Sequence, residues 1–419
     1  MASSLPHYET KTLANGLEVY VIPMDNDSGV ISTDIFYKVG SRNEVMGKTG
    51  IAHMLEHMNF KSTKNLKAGQ FDEEVKSVGG VSNASTGFDF THYFIKSSSE
   101  NLGKSLSLFA ELMQHLNLKE EEFQPERDVV AEERRWRTDN NPLGYLYFRM
   151  FNHAYTYHPY HWTPIGFMND ILTWELEDIQ SFHATYYQPE NAILLITGDI
   201  EPETAFAEAQ KEFGHLKNTN AIPKFKFVEP KPDGSERITI YKESEVEMVA
   251  IVFHIPDFKH PDQPALSAIS EMLSSGKSSR LYEQLVDKKS MVNQVYAYNM
   301  ENTDPGLFIF LAVCNPGVKA EEAEAELVAQ IERMKTEKVS PEELEKVKIN
   351  TRADFIFSLE SSASVANLFG SYLARGDLKP LEEYEASINA LDVDTIKAAA
   401  GKYFDLEKST TIILRKAEQ

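Results

Sequence analysis

The 419-residue chain carries 42 Lys and Arg against 64 Asp and Glu, a formal net charge of −22 at pH 7, which argues against a nucleic-acid partner. Its composition, 42% hydrophobic and 25% charged, is that of a soluble globular protein, and no apolar run approaches a membrane span. The length exceeds a usual single core, so two domains are expected, and a single cysteine, Cys314, excludes an internal disulfide and fits a reducing compartment.

The amino terminus, Met1-Ala-Ser-Ser-Leu-Pro6, lacks the apolar core of a signal peptide. The expectation is a soluble protein of the cytoplasm, or of the periplasm if an export signal was removed. An extended run at Val19–Pro23 leads to a second at Ile31–Tyr37, then a loop, then a helix. Thr49 is the expected N-cap of that helix, with Gly50 in its first turn. Ile51, Met54, Leu55 and Met58 recur at helical spacing and form one apolar face. His53, Glu56 and His57 fall on roughly the opposite side. Two imidazoles four residues apart, with a carboxylate between them, are what a helix needs to hold zinc beside a general base. The competing reading is a helix with two solvated histidines.

Beyond the Gly79-Gly80 pair, Val81–Thr86 precedes an alternating run, Phe88–Tyr93, and reads as an edge strand or an ordinary internal one. A catalytic zinc usually takes three protein ligands, so a third is needed. Glu126–Arg137, with Pro125 at its first turn, is the best candidate segment. Glu126 and Glu133, seven residues apart, stack on one face, and Val129 and Val130 share it, so that face should be partly buried. Glu132 points about a third of a turn away. An exposed, ion-paired helix fits the same segment.

Residues 217–234, containing Pro and Lys, read as a linker between a first domain, 1–216, and a second, 235–419. The second half repeats the pattern: Ile238–Tyr241, Met248–His254, a Pro-containing loop, then a helix near Leu266–Leu273. Matching the loops places Ser267, Ser270 and Glu271 opposite His53, Glu56 and His57, so the second half holds no copy of the metal motif. Cys314 ends a buried-strand pattern, Phe308–Cys314, and reads as core. Each half mixes strands and helices, giving an α+β class with helices packed on one face of a mostly antiparallel sheet.

The chain resembles the pitrilysin and mitochondrial-processing-peptidase family of zinc peptidases with the inverted motif His-x-x-Glu-His. That family shows a Glu ligand some seventy-six residues after the second His, and Glu133 lies at that distance from His57. It carries another Glu seven residues earlier, matched by Glu126. Asn15-Gly16-Leu17, Gly40-Ser41-Arg42-Asn43-Glu44, Asn83-Ala84, His158-Pro159-Tyr160, Ile165-Gly166, Tyr187–Asn191, Gly198-Asp199 and Ser278–Tyr282 extend the likeness over nearly the whole chain. The resemblance implies half of a clamshell peptidase that binds one Zn2+ through His53, His57 and Glu133. It implies Glu56 as general base, Glu126 orienting a His or the water, and Asn83, Ala84 and Ser85 pairing with the substrate backbone.

One departure matters. Active members contribute from their second half an Arg and, seven residues later, a Tyr that reach the substrate carbonyl. Without gaps those positions are Val286 and Asn293 here. Arg280 and Tyr282 belong to the preceding helix, and Tyr296 or Tyr298 enters only by a register shift. The implied function is a zinc endopeptidase of unfolded peptides or presequences, as the metal-bearing subunit of a heterodimer whose partner supplies the Arg/Tyr pair. The rivals are a homodimer and a non-catalytic, peptide-binding or scaffold subunit.

Overall fold

The computed structural model describes residues 4–24 and 27–417. Met1–Ser3, part of the stretch read for a signal peptide, lie outside the described residues. Among the described residues no helix is long and apolar enough to cross a membrane.

Among the described residues, eleven strands form two sheets. In the first half these are β1 (Glu9–Thr12), β2 (Glu18–Pro23), β3 (Val30–Tyr37), β4 (Val81–Thr86), β5 (Thr91–Ser98) and β6 (Ala192–Gly198). In the second they are β7 (Glu236–Lys242), β8 (Met248–His254), β9 (Val292–Met300), β10 (Leu307–Cys314) and β11 (Thr410–Lys416). The first sheet runs β1-β2-β6-β3-β5-β4 and the second β7-β11-β8-β10-β9. Leaving β1 aside, the two orders coincide strand for strand. Each sheet also has one parallel pair, β2 with β6 and β7 with β11, among antiparallel neighbours. The duplication read from the sequence is therefore a duplication of topology.

The central strands are β-branched and aromatic, and β6, β8 and β10 are buried along almost their whole length. That requires cover on both faces. One face of the first sheet, through Val19, Val21, Ile35, Leu194 and Ile196, packs on helices of its own half, among them Leu102–Gln114 and Leu176–Tyr186. The opposite face presents Ile22, Phe36, Ile193 and Leu195 to Val365, Phe369 and Leu373 of the second half's Ser362–Arg375 helix. The second sheet is covered in the same way. Val249, Ile251 and Phe253 meet helices of their own half, and Ala250, Val252, Ile309 and Ile412 meet Leu146, Met150 and Phe151 of the first half's Pro142–Ala154 helix. Each half lends one helix to the other's sheet, so neither sheet completes its core alone.

The exchange depends on close approach at Gly370, where an added Cβ would stand 2.1 Å from the Phe36 ring. Ala is worth about 1 kcal/mol more than Gly in a helix interior. Overpacking here should outweigh that gain, and Gly370→Ala is expected to lower stability by about 1–3 kcal/mol in urea denaturation. Stability equal to or above wild type would show that Phe36 moves aside without cost.

Two local expectations need correction. The Ile51–Asn59 helix is capped by Gly50, not Thr49; Gly50 has φ of 86° and lies so near the Ile165 carbonyl that a Cβ would clash at 2.6 Å. Thr49 is buried and turned toward Asp170, to which its N–H and Oγ1 donate at 3.0 and 2.7 Å. The second metal-motif helix begins earlier than read, at Glu120, and holds Pro125 inside it. Three glutamates in its first turn suit the positive end of the helix dipole and favour the earlier start. It runs to Arg134 and widens into a π-type turn over Arg135–Asp139. Residues 217–234 contain no helix or strand.

Candidate metal centre

The amino end of the Ile51–Asn59 helix is held by a buried carboxylate. Glu44 accepts from Gly50 N at 2.9 Å, Ala52 N at 2.8 Å and Trp162 Nε1 at 2.8 Å. Burial pushes Glu44 up to about 8, and the three donors pull the other way. Both oxygens serve as acceptors, and the carboxylate faces backbone amides that the helix itself leaves unpaired. Ile51, Met54, Leu55 and Met58 are buried in the first core, as their spacing implies. This leaves His53, Glu56 and His57 half-buried on the other side.

The Glu120–Arg134 helix crosses beside that face. His57 Nε2 lies 3.3 Å and His53 Nε2 3.8 Å from Glu133 Oε2. Ligand atoms of His53, His57 and Glu133 all fall within 4.8 Å of one another, the one group of at least three such side chains with metal-holding geometry among the described residues. His57 Nδ1 is 2.8 Å from Glu126 Oε1, and Lys61 Nζ is 2.5 Å from Glu126 Oε2. A carboxylate can only accept there, so His57 carries a hydrogen on Nδ1, while its Nε2 faces the second carboxylate, Glu133. Arg137 Nε pairs with the other Glu133 oxygen at 3.1 Å. His53 Nδ1 is buried without a hydrogen-bond partner.

Burial, then the neighbouring His57, holds His53 down to about 4. Burial opposes a charge on His57 too, but hydrogen bonds to Glu126 and Glu133 raise it to about 9. The hydrogen bond to His57 holds Glu133 below the usual carboxylate range. For Glu126, burial pushes upward, but hydrogen bonds to His57 and Lys61 outweigh it and hold the carboxyl below its usual range too. Two imidazoles and one ionised carboxylate converging on a point are a donor set that fits zinc and leaves one position open.

Glu56 stands apart from this group. Its Oε2 accepts from Thr86 Oγ1 at 2.5 Å, and burial raises it above the usual range. Thr86 ends β4, which pairs only with β5 and so forms the edge of the first sheet. Asn83 and Ser85 on that edge are exposed, while Ala84 packs against the core. The face carrying Glu126 and Glu133 is partly buried, as expected, but Val129 does not share in that burial. Val130 is buried, whereas Val129, on the other flank of the Glu126–Glu133 stripe, is 49% exposed. Glu132 points outward and pairs with Arg135.

Thr86, Lys61, Arg137 and Glu44 were missed as parts of the site. Arg137 sits four residues after Glu133, a spacing that already pairs them along the chain, whereas Lys61 lies just past the end of the Ile51–Asn59 helix. Thr86 and Glu44 reach the site only through tertiary packing. In the second half Val286 packs at the margin of the core and Asn293 is exposed. Arg280 is committed to Glu343 at 2.7 and 2.6 Å. Tyr296 and Tyr298 are exposed on β9, the edge of the second sheet. Ser267 and Ser270, opposite the metal motif, bond within the sheet and its helix, to Asn299 and to Ala297 O.

Comparison with known proteins gives concordant matches. The family described as Insulinase (Peptidase family M16) matches residues 21–158, and that described as Peptidase M16 inactive domain matches 173–351. The chain is 55% identical to "Zinc protease PqqE" of Helicobacter pylori over 99% of this chain and 94% of that protein. It is 25% identical to "Probable mitochondrial-processing peptidase subunit beta, mitochondrial" of Arabidopsis thaliana, over 96% of this chain and 77% of the relative. A crystal structure of a protease from Helicobacter pylori superposes with a TM-score of 0.96 at 55% identity, over 98% of this chain and all of that one.

Proposed function

The chain belongs to peptidase family M16, a family of zinc proteases, and from that premise we propose that it is a zinc-dependent endopeptidase of unfolded peptides or presequences, working as the metal-bearing subunit of a heterodimer. The observation that carries the reading is the convergence of His53, His57 and Glu133 beside Glu56 and an open sheet edge. In this reading the metal-bearing domain ends at residue 216 and the domain without a metal site begins at 235, joined by 217–234.

His53 and His57 through Nε2, with Glu133, would hold one Zn2+. When bound, the ion brings the pKa of water to about 7 and polarises a peptide carbonyl. Glu56 takes a proton from the attacking water and returns it to the leaving amine. Thr86 fixes the Glu56 carboxylate by donating to Oε2. Glu126 fixes His57 by accepting from Nδ1. The peptide lies along Asn83, Ala84 and Ser85 as an added strand, its backbone bonding to the free side of β4.

The heterodimer follows from what the second half lacks. Val286 and Asn293 offer no cationic or phenolic donor for the developing oxyanion, and Arg280 is held elsewhere. The relative from Arabidopsis thaliana is itself called a subunit. The zinc-loaded chain alone is expected to cleave a quenched fluorescent peptide at least about 10²-fold more slowly than when mixed with a homologous subunit that carries the Arg/Tyr pair. Full activity of the purified chain alone would overturn the heterodimer reading and favour a homodimer. Zinc binding with no cleavage under any pairing would favour a scaffold subunit.

A further inference from the structure

At the end of the Glu120–Arg134 helix a cavity of about 520 Å3, lined by none of the metal-centre side chains, opens between the Pro142–Ala154 helix and residues 161–169. Its walls include Arg134, Asp139, Arg149, Asn152, His153 and His161. In a chain of net charge −22, two arginines face a single carboxylate here. The lone carboxylate among them is spent. Asp139 Oδ1 accepts from Arg134 Nε at 3.1 Å, while Arg134 also donates to the Gly166 carbonyl and stacks 3.9 Å over Phe148.

Arg149 is different. Its guanidinium donates to Tyr145 Oη at 3.3 Å and to His153 Nε2 at 2.8 Å, both neutral acceptors. Among the described residues no carboxylate lies within ion-pair distance of it. Burial, then the Arg149 charge, then His161 hold His153 below the usual imidazole range, consistent with a neutral ring that accepts from Arg149. His161 donates from Nδ1 to the Tyr155 carbonyl at 2.6 Å, which leaves Nε2 for another partner. Lys242 adds charge behind the wall, 4.3 Å over the Tyr145 ring.

A planar guanidinium without an acid, beside two imidazoles, matches the fork geometry of an oxyanion. Two arginines against one carboxylate leave the cavity positive, and a dianion gains more from that field than a monoanion. We propose that this cavity is a binding site, separate from the metal centre, for a small molecule bearing a phosphate-type oxyanion, with Arg149 as its principal contact.

The test uses the full chain and inorganic phosphate as probe. Phosphate should raise the thermal midpoint saturably, and chloride at matched ionic strength should not. Arg149→Gln is expected to weaken the apparent affinity about tenfold or more, and Arg149→Glu to abolish the shift. Arg149 is a partly exposed helix residue with two neutral partners, so both variants should fold, which circular dichroism checks. Arg333→Gln, at an exposed ion pair with Glu337, should leave the shift unchanged. A wild-type phosphate shift in Arg149→Gln would overturn the site. Acetate acting as well as phosphate would overturn its assignment to phosphate.

Discussion

Glu56→Gln is expected to reduce peptide cleavage by the zinc-loaded, fully assembled protein by about 10²–10⁴-fold while leaving its zinc content unchanged. The two halves of that result come from different facts. Glu56 is not among the three side chains whose ligand atoms converge, so its charge is not needed to hold the ion. Its place is fixed by Thr86 Oγ1, which donates to Oε2 at 2.5 Å, and a Gln carbonyl oxygen can accept the same bond. The variant therefore keeps the side chain where it is and removes only its capacity to take a proton. Zinc content by plasma emission and turnover of a quenched fluorescent peptide read the two effects separately. A variant that cleaves at the wild-type rate would remove Glu56 from the chemistry. A variant that loses zinc would make it a ligand or a structural support.

What the sequence disclosed about this site follows the range over which its interactions act. His53, Glu56 and His57 lie on one helix, and their relation is fixed by helical geometry alone. The stacking of Glu126 and Glu133 is equally local, and the π-type turn that follows Glu133 does not disturb it. Bringing the two helices together is a tertiary event. Spacing alone does not choose a third ligand; only the family resemblance points to Glu133. The Thr49 cap was misread for a related reason. Propensity favours Thr over Gly at an N-cap, but the 165–170 segment crowds the helix start so closely that Gly50 must turn through positive φ. Asp170 then captures Thr49. Likewise the residue pattern at Val81–Thr86 does not tell an edge from an interior strand, because that depends on what lies beside it. The exchanged helices were invisible for the same reason: Val365, Phe369 and Leu373 mark an apolar face, and nothing local says whose sheet it covers.

Glu133→Gln and Glu126→Gln should separate two carboxylates that the sequence presents as near equals. Glu133 Oε2 stands 3.3 and 3.8 Å from the Nε2 atoms of His57 and His53, at the point where all three donors meet. Glu126 touches the opposite side of one ring, at Nδ1 of His57, and is tied back by Lys61. Neutralising Glu133 removes one of three donors and the negative charge closest to the ion. The expected loss in zinc affinity is greater than the roughly 10–100-fold typical of groups that only orient a ligand. Glu126→Gln should fall within that range and toward its lower end, because the Gln oxygen can still accept from Nδ1 and hold the ring. What it loses is the charge that makes the imidazole more basic and the ion pair with Lys61. Competition with a chromophoric chelator measures both affinities. Thermal unfolding in excess zinc gives an independent reading, since a ligand that binds only the folded chain raises stability in proportion to RT ln(1 + [L]/Kd). Wild type should gain most, Glu126→Gln less, and Glu133→Gln little or nothing. Without zinc, Glu133→Gln should still cost some stability, because it gives up the hydrogen bond to His57 as well as the ion pair with the largely exposed Arg137. Equal loss of zinc in the two variants would mean that both carboxylates bind the ion directly. A larger loss in Glu126→Gln would exchange their roles and place the metal on the Nδ1 side of His57.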